Sequence, residues 1–595
     1  MTPTTETLPR WNLSDLFASD KAAKQAVLEA EKLSVAFVAQ YASKVKTLSA
    51  TQILEAILKY ERISDLLTQI GSYAYLQYIV DMESATKAAF YQYATEQLAS
   101  VSSKLTFFTV EINLINDADF ATLISHAELQ KYVPFLHKIR RFKSHQLSAE
   151  LEEFAIKKSV SSSNAWVRLF DETTASLEFS LNGQKVGISE ILNGLSSADE
   201  KMRQTCAKEL ETTFAQNSKI FTFITNTLAK DKHIDDEYRK FAQPISERNL
   251  HNFIEDDVVA CLLETVQKNY AKTSHRYYAL KAKFFGRKTL KYWDRNAPLP
   301  FCSDKTYSWD EAKDITRTAY GEFSKTMLEI GDLFFQSDWI DVPPQNGKDS
   351  GAFAHPTSPS VHPYLMLNYY GKVRDVATLA HELGHGVHQH LARHNGPLMC
   401  DTPLTLAETA SVFGEQLVFQ KLLANETDTN SKIALLAGKI EDMLNTVVRQ
   451  VAFCEFERIV HDERRAGEVS TVRLGEIWMQ IQHDSLGEAI ELSDGYKNFW
   501  MYIPHFIHSP FYVYAYAFGD CLVNSLYSIY KSGTIQNFEE KYLTMLSAGG
   551  TLHHKELLAP FGIDISKADF WQQGLNIIIK MIDDLENLVS EHKAS

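Results

Sequence analysis

Proline and glycine are scarce in this chain of 595 residues, at 16 and 25 copies, against common usage of about 5% and about 7%. With so few breakers, long helices are the expected local structure. Cysteine is also sparse. The six copies, Cys206, Cys261, Cys302, Cys400, Cys454 and Cys521, form no Cys-x-x-Cys pair, which excludes a zinc ribbon or a dithiol redox motif and predicts reduced, mostly buried thiols. No apolar run reaches the roughly 18 residues of a membrane span, and the opening MTPTTETLPRWNLSDLF has no basic stretch followed by an apolar one. A cytoplasmic protein with no membrane partner is expected. Positive charge is in deficit, with 60 Lys and Arg against 75 Asp and Glu for a net −15, and no basic run is dense enough to neutralise a phosphate backbone. Nucleic acid is therefore excluded as a partner.

What is present is an ordinary globular composition, 45% hydrophobic and 23% charged, which excludes disorder as the main state. From about Lys21 to Phe170, apolar residues recur at three- and four-residue spacing, as in LSATQILEAILKYERISDLLTQIGSYAYLQYIV, predicting consecutive amphipathic helices without identifiable chemistry. LEFSLNGQKVGIS alternates Leu177, Phe179 and Leu181, turns at Asn182-Gly183 and resumes at Val186 and Ile188, a β-hairpin signal. Helical patterning returns near Ser197. The expected division is an N-terminal helical unit, 1–195, and a catalytic unit, 196–595. Prolines and glycines concentrate in residues 341–363, predicting a long loop that is either functional or disordered. YLMLNYYG, residues 364–371, then reads as a strand, either one that binds extended peptide through its backbone or an ordinary sheet strand, just before a helix starting near Lys372 or Val373.

That helix carries His381-Glu382-Leu383-Gly384-His385. Histidines four apart lie on one helix face with Cβ atoms about 5–6 Å apart, so both imidazoles can bind one metal ion, with zinc the natural occupant. Glu382 is placed to take a proton from water activated at the metal. The flanking Val376, Leu379, Leu383, Val387 and Leu391 form an apolar stripe at helical spacing, putting the motif on a buried helix. His388, His390 and His394 read as solvated or packing residues, although His388 has the helical phase of a ligand. A catalytic zinc needs a third protein ligand and an open position. A third His ten residues after the first is excluded, because Leu391 stands there and His388 replaces the glycine that would precede it. A carboxylate on a following helix is available in TPLTLAETASVFGEQLVFQKLL, at Glu408. Its apolar neighbours Leu406, Ala407, Ala410, Val412 and Phe413 argue for burial, and a buried carboxylate needs a cation. Glu415 falls on the same face and could orient a ligand. In residues 495–522, His505, His508, Tyr512, Tyr514 and Tyr516 are all candidates to stabilise the oxyanion of peptide hydrolysis; the alternative is an aromatic core helix.

Taken together, WNLSDLF near the start, LKYWDRNAPL (290–299), TLAHELGHGVH (378–388), TLAETASVFGE (405–415) and FYVYAYAFG (511–519) resemble the oligoendopeptidase F family, within the zinc metallopeptidases that include thimet oligopeptidase. The resemblance spans nearly the whole chain. It implies a mostly α fold with two lobes around a deep substrate channel and a small β element beside the zinc-binding helix. It implies one zinc ion held by His381, His385 and Glu408, with Glu382 as general base. A His and one or more Tyr of the aromatic segment would bind substrate and the oxyanion, here His505 with Tyr512 or Tyr514, although the His-to-Tyr spacing departs from that of thimet oligopeptidase. The loop GAFAHPTSPSVHP also departs from the family pattern, which bears on substrate preference. The expected activity is zinc-dependent endopeptidase action on short unstructured oligopeptides. Two rivals share these features: a helical zinc carboxypeptidase, and a non-catalytic peptide-binding scaffold with a structural metal.

Overall fold

Long helices follow from the scarcity of breakers and from side chains that cap their first turns. In the computed structural model, which describes residues 8–300 and 305–594, 72% of the chain is helical. The first seven residues of the opening segment and Cys302 lie outside the described residues. Helix Ala50–Ile79 begins with a reciprocal cap, Ser49 accepting from the Gln52 amide and the Gln52 side chain accepting from the Ser49 amide. The 40-residue helix Glu200–Arg239 starts where Asp199 accepts from the Lys201 amide, and stops at Lys240, which takes a left-handed φ of 64°. Among the described residues no helix is long and apolar enough to cross a membrane, and the five described cysteines are all free, with Cys206, Cys454 and Cys521 buried.

The described chain forms two compact units, each assembled from three stretches. The first comprises residues 8–143, 305–422 and 535–563, and the second comprises 144–300, 423–534 and 564–594. In the first, helices Asp20–Tyr41, Ala50–Ile79 and Ala85–Leu114 pack on one another around Phe37, Ile53, Ile57 and Phe108. Their apolar face continues through Ile70, Tyr73, Leu76 and Phe90 to Tyr364, and through Ile79 and Val80 to Met366. This burial ties the N-terminal helices to the strand ahead of the motif helix. Residue 195 lies inside the second of these compact units.

The hairpin is present as strands Phe179–Leu181 and Gln184–Val186, paired antiparallel with Phe179 opposite Val186. Asn182 and Gly183 turn it with φ of 53° and 80°, as a tight turn of this type requires. Tyr364–Met366 is also a strand, but it is not an edge. It is fully buried at the centre of a three-stranded sheet, parallel to Ile340–Asp341 on one side and antiparallel to Phe353–His355 on the other. Its backbone is therefore occupied on both sides, and Ile340–Asp341 and Phe353–His355 are the edges. In the second unit, Glu200–Arg239, Val448–Ala466, Tyr514–Ser532 and Ala568–Ala594 supply the main packing. Asp294, within the LKYWDRNAPL segment, is fully buried there in an ion pair with Arg203 at 2.7 Å.

Candidate metal centre

Helix Val373–Ala392 begins with Asp375 accepting from the backbone amides of Tyr370 and Lys372 at 2.8 and 2.9 Å, a placement the positive end of a helix favours. The helix then packs against Lys325–Gln336, the three-stranded sheet and Phe538–Ser547. Val376, Leu379, Leu383 and Val387 are buried along one side. Two glycines set how closely neighbours approach. A Cβ on Gly384 would stand 2.5 Å from the Ala410 carbonyl, so the glycine inside the motif is what lets the next helix, Thr409–Asn425, come close. A Cβ on Gly414 would meet the Tyr320 ring and hydroxyl, and that hydroxyl donates to the Ala380 carbonyl at 2.6 Å, bracing the turn that leads into His381.

These contacts bring His381, His385 and Glu408 together. Nε2 of His381 and Nε2 of His385 each lie 3.4 Å from Glu408 Oε2, and the three candidate ligand atoms are all within 4.8 Å of one another. Ligand atoms on a tetrahedron with zinc bond lengths of 2.0–2.1 Å are about 3.3 Å apart, so two imidazoles and one carboxylate at these separations fit such an ion. Partners outside the set orient it. Nδ1 of His381 shares a hydrogen bond with Glu415 Oε2 at 3.2 Å, which leaves Nε2 for the ion. Ser411 donates to Glu408 Oε2 at 2.7 Å. The buried Tyr542 hydroxyl donates to the Thr409 carbonyl at 2.8 Å, fixing the backbone just after Glu408.

The electrostatics also suit a cation. For His381, burial opposes charge, but Glu415, Glu382 and Glu408 outweigh it and raise the pKa to about 9. For Glu408, burial raises the pKa, but His385, His381 and Ser411 outweigh it and bring it down to about 2. Glu382 is 7% exposed, and burial raises its pKa despite the two nearby imidazoles and a hydrogen bond from the Ala354 backbone. It is thereby a stronger proton acceptor than an ordinary surface glutamate. His388, in the helix, and His394, just beyond its end, have other partners. His388 is buried and paired with the Thr402 hydroxyl at 3.1 Å, and burial pushes its pKa down to about 4. His394 is exposed and bonds to the Leu391 carbonyl.

In the aromatic segment, His505, Tyr512 and Tyr516 share a partly exposed cluster. His505 Nε2 lies 3.3 Å from the Tyr516 hydroxyl, the His505 and Tyr512 rings are 6.0 Å apart, and the Tyr512 and Tyr516 rings are 5.3 Å apart. Tyr514 is placed differently: it is fully buried, and its hydroxyl accepts from Asn252 Nδ2 at 2.8 Å. His508 pairs with Asp171 at 2.7 Å. Sequence reasoning did not anticipate Tyr320, Ser411 and Tyr542; the two tyrosines act through hydrogen bonds to distant elements and leave no periodic trace, whereas Ser411 bonds to Glu408 three residues before it. Ser411, one helical turn after Glu408, had the only local signal.

A helical chain in which a His-Glu-x-x-His helix meets a carboxylate from the turn just before a following helix defines a metallopeptidase. The profile for Peptidase family M3 matches residues 194–577, and that for Oligopeptidase F matches residues 111–179. The chain belongs to peptidase family M3, in its oligopeptidase F subfamily. Group B oligopeptidase PepB of Streptococcus agalactiae is 26% identical over 98% of this chain and 97% of its own. An oligoendopeptidase F homolog of Borreliella burgdorferi is 28% identical over 97% and 98%. The crystal structure of oligoendopeptidase-F from Enterococcus faecium superposes with a TM-score of 0.74 at 22% identity, covering 96% of this chain and 99% of that one. The protein is thus an oligopeptidase F-family metallopeptidase. Its family implies peptide substrates and zinc, with which the donor set agrees.

Proposed function

We propose that this protein is a zinc-dependent endopeptidase that hydrolyses internal bonds of short, unstructured oligopeptides in the cytoplasm, with residues 1–195 as a helical support and 196–595 carrying the catalytic groups. The observation that carries this reading is the approach of His381 and His385 to Glu408 at 3.4 Å each, with Glu382 next to the first imidazole in the chain. His381, His385 and Glu408 would hold one zinc ion, which supplies Lewis acidity toward water and the scissile carbonyl. Glu382 takes the proton of the attacking water and delivers it to the leaving amine; its burial favours both transfers near neutral pH. His505, with Tyr512 or Tyr516, donates to the carbonyl oxygen as negative charge develops there. Tyr514 serves better as an anchor, since its hydroxyl already accepts from Asn252 in the core. The five cysteines among the described residues are free thiols, which favours a reducing compartment.

The test uses a quenched peptide blocked at both ends. Wild-type protein should cleave it internally, lose activity to a chelator and regain it with zinc. Glu382→Gln should keep about one zinc per chain while kcat falls by about a hundred- to ten-thousandfold. Cleavage only of peptides with a free C-terminus would replace the endopeptidase reading with a carboxypeptidase. Peptide binding without turnover would replace it with a scaffold.

A further inference from the structure

The turn that presents Tyr512 is held by groups that the reaction above leaves unused. Phe511 is fully buried and has φ of 59°, in the left-handed region that a bulky residue rarely occupies unless its surroundings enforce it. Four side chains from outside the segment do so. Glu457, 2% exposed in helix Val448–Ala466, accepts the Phe511 amide on Oε1 at 2.7 Å. Arg248 Nε donates to the Pro510 carbonyl at 3.2 Å, and Asn252 donates to the Tyr514 hydroxyl at 2.8 Å. The His461 ring packs against Phe511 with centroids 4.9 Å apart. Tyr512 is the partly exposed side chain between these fixed points, turned toward His505 and Tyr516.

Glu457 is the expensive member of this clamp. Its Oε2 is buried without a hydrogen-bond partner, a costly arrangement for satisfying one backbone N–H. Burial raises its pKa to about 8, so the carboxyl is mainly neutral at pH 7 and glutamine reproduces its shape and charge. Such an arrangement makes physical sense where the strained conformation it enforces is put to use.

We propose that Glu457 is a positioning residue: by holding the Phe511 amide in the left-handed turn, it sets the Tyr512 hydroxyl in its working arrangement with His505 and Tyr516. This rests on the reading of Tyr512 as a group that acts on the substrate carbonyl. Four variants of the zinc-loaded full-length protein test it: Glu457→Gln, Glu457→Met, Tyr512→Phe and the Glu457→Met/Tyr512→Phe pair. Kinetics on the blocked peptide, zinc content and thermal unfolding are read for each. Glutamine keeps the acceptor and should hold kcat within about twofold. Methionine keeps the volume but not the acceptor, and should lower kcat by about ten- to a hundredfold, with KM and zinc content near wild type. Added to Tyr512→Phe, it should lower kcat by less than about twofold more, because the group it acts through is gone. Should the methionine protein fold poorly, Glu457→Asp, which withdraws the carboxyl by one methylene, must show the same loss confined to kcat. Wild-type kcat in the methionine or aspartate variant beside an impaired Tyr512→Phe overturns the role of Glu457 alone, as do losses that multiply in the pair. An unimpaired Tyr512→Phe overturns the reading of Tyr512, and the Glu457 proposal with it.

Discussion

At the metal centre, the candidate donors and the side chains bonded to them, Glu415 and Ser411, lie within residues 381–415, with the Tyr320 and Tyr542 hydroxyls bracing the adjoining backbone. In the aromatic segment the geometry is imposed from afar: Glu457 reaches Phe511 across 54 positions, and Arg248 and Asn252 reach Pro510 and Tyr514 across 262. Helical periodicity alone nearly builds the first region, whereas tertiary hydrogen bonds build the second. Substitutions should therefore fail differently in the two places. Among the metal donors and the side chains bonded to them they should act on ion content, and around His505, Tyr512 and Tyr516 on turnover with the ion retained.

The strongest challenge to this contrast is Glu408→Ala, which removes the one donor from outside the motif helix. Zinc content after dialysis should fall well below one per chain and activity should vanish with it; full retention of the ion would mean that another group completes the set. Tyr512→Phe should leave the ion in place and reduce kcat by about a hundredfold, within the range for loss of an oxyanion donor. Tyr514→Phe, measured alongside, should leave kcat nearly unchanged and instead lower the unfolding temperature, because Asn252 loses its buried partner. Equal kinetic effects of the two would erase the distinction drawn between them. Glu415→Gln sharpens the comparison from the other side: with the anionic partner of His381 gone, zinc affinity should drop by about ten- to a hundredfold, while kcat at saturating zinc stays close to wild type.

The smallest expected effect concerns stability and pH. Burial pushes the Glu457 carboxyl up to about 8, against an ordinary 4.5 in the unfolded chain. Below the lower value both folded and unfolded chains hold the proton, and no penalty arises. Between the two values the unfolded chain releases the proton while the folded chain keeps it, so stability falls as pH rises. The slope is on the order of one kcal/mol per pH unit, flattening above about pH 8. Glu457→Gln removes this component, so its denaturation midpoint should fall less than that of wild type between pH 5 and 8. Parallel curves for the two proteins would show that the carboxyl is not held neutral.

What the sequence made legible follows the same division. The helical character, the hairpin at Asn182-Gly183 and the place of His381 and His385 on one helix face are short-range properties, visible as periodicity and turn residues. Glu408 was legible because apolar neighbours surround a carboxylate at helical spacing. Tyr364–Met366 was legible as a strand but not as a buried central one, since pairing partners on both sides are a tertiary fact. Tyr512, Tyr514 and Tyr516 are two residues apart in a run that looks uniform. What separates Tyr514 from the other two is Asn252, which no local pattern connects to it. Glu457, flanked by Phe453, Phe456 and Val460, carried the same signal as Glu408, a carboxylate amid apolar residues, without a neighbouring motif to draw attention to it.

The division of each unit into three separate stretches governs how this protein can be made. Helix Phe538–Ser547, which packs against the motif helix, is translated about 150 residues after it. A nascent chain therefore carries the finished His-Glu-x-x-His sequence long before its supporting surface exists. Domains that fold as units during synthesis must wait for their last piece, so a chain released early at residue 534 should emerge with the motif intact and the ion-binding helix unsupported, a substrate for quality-control proteases instead of a peptidase.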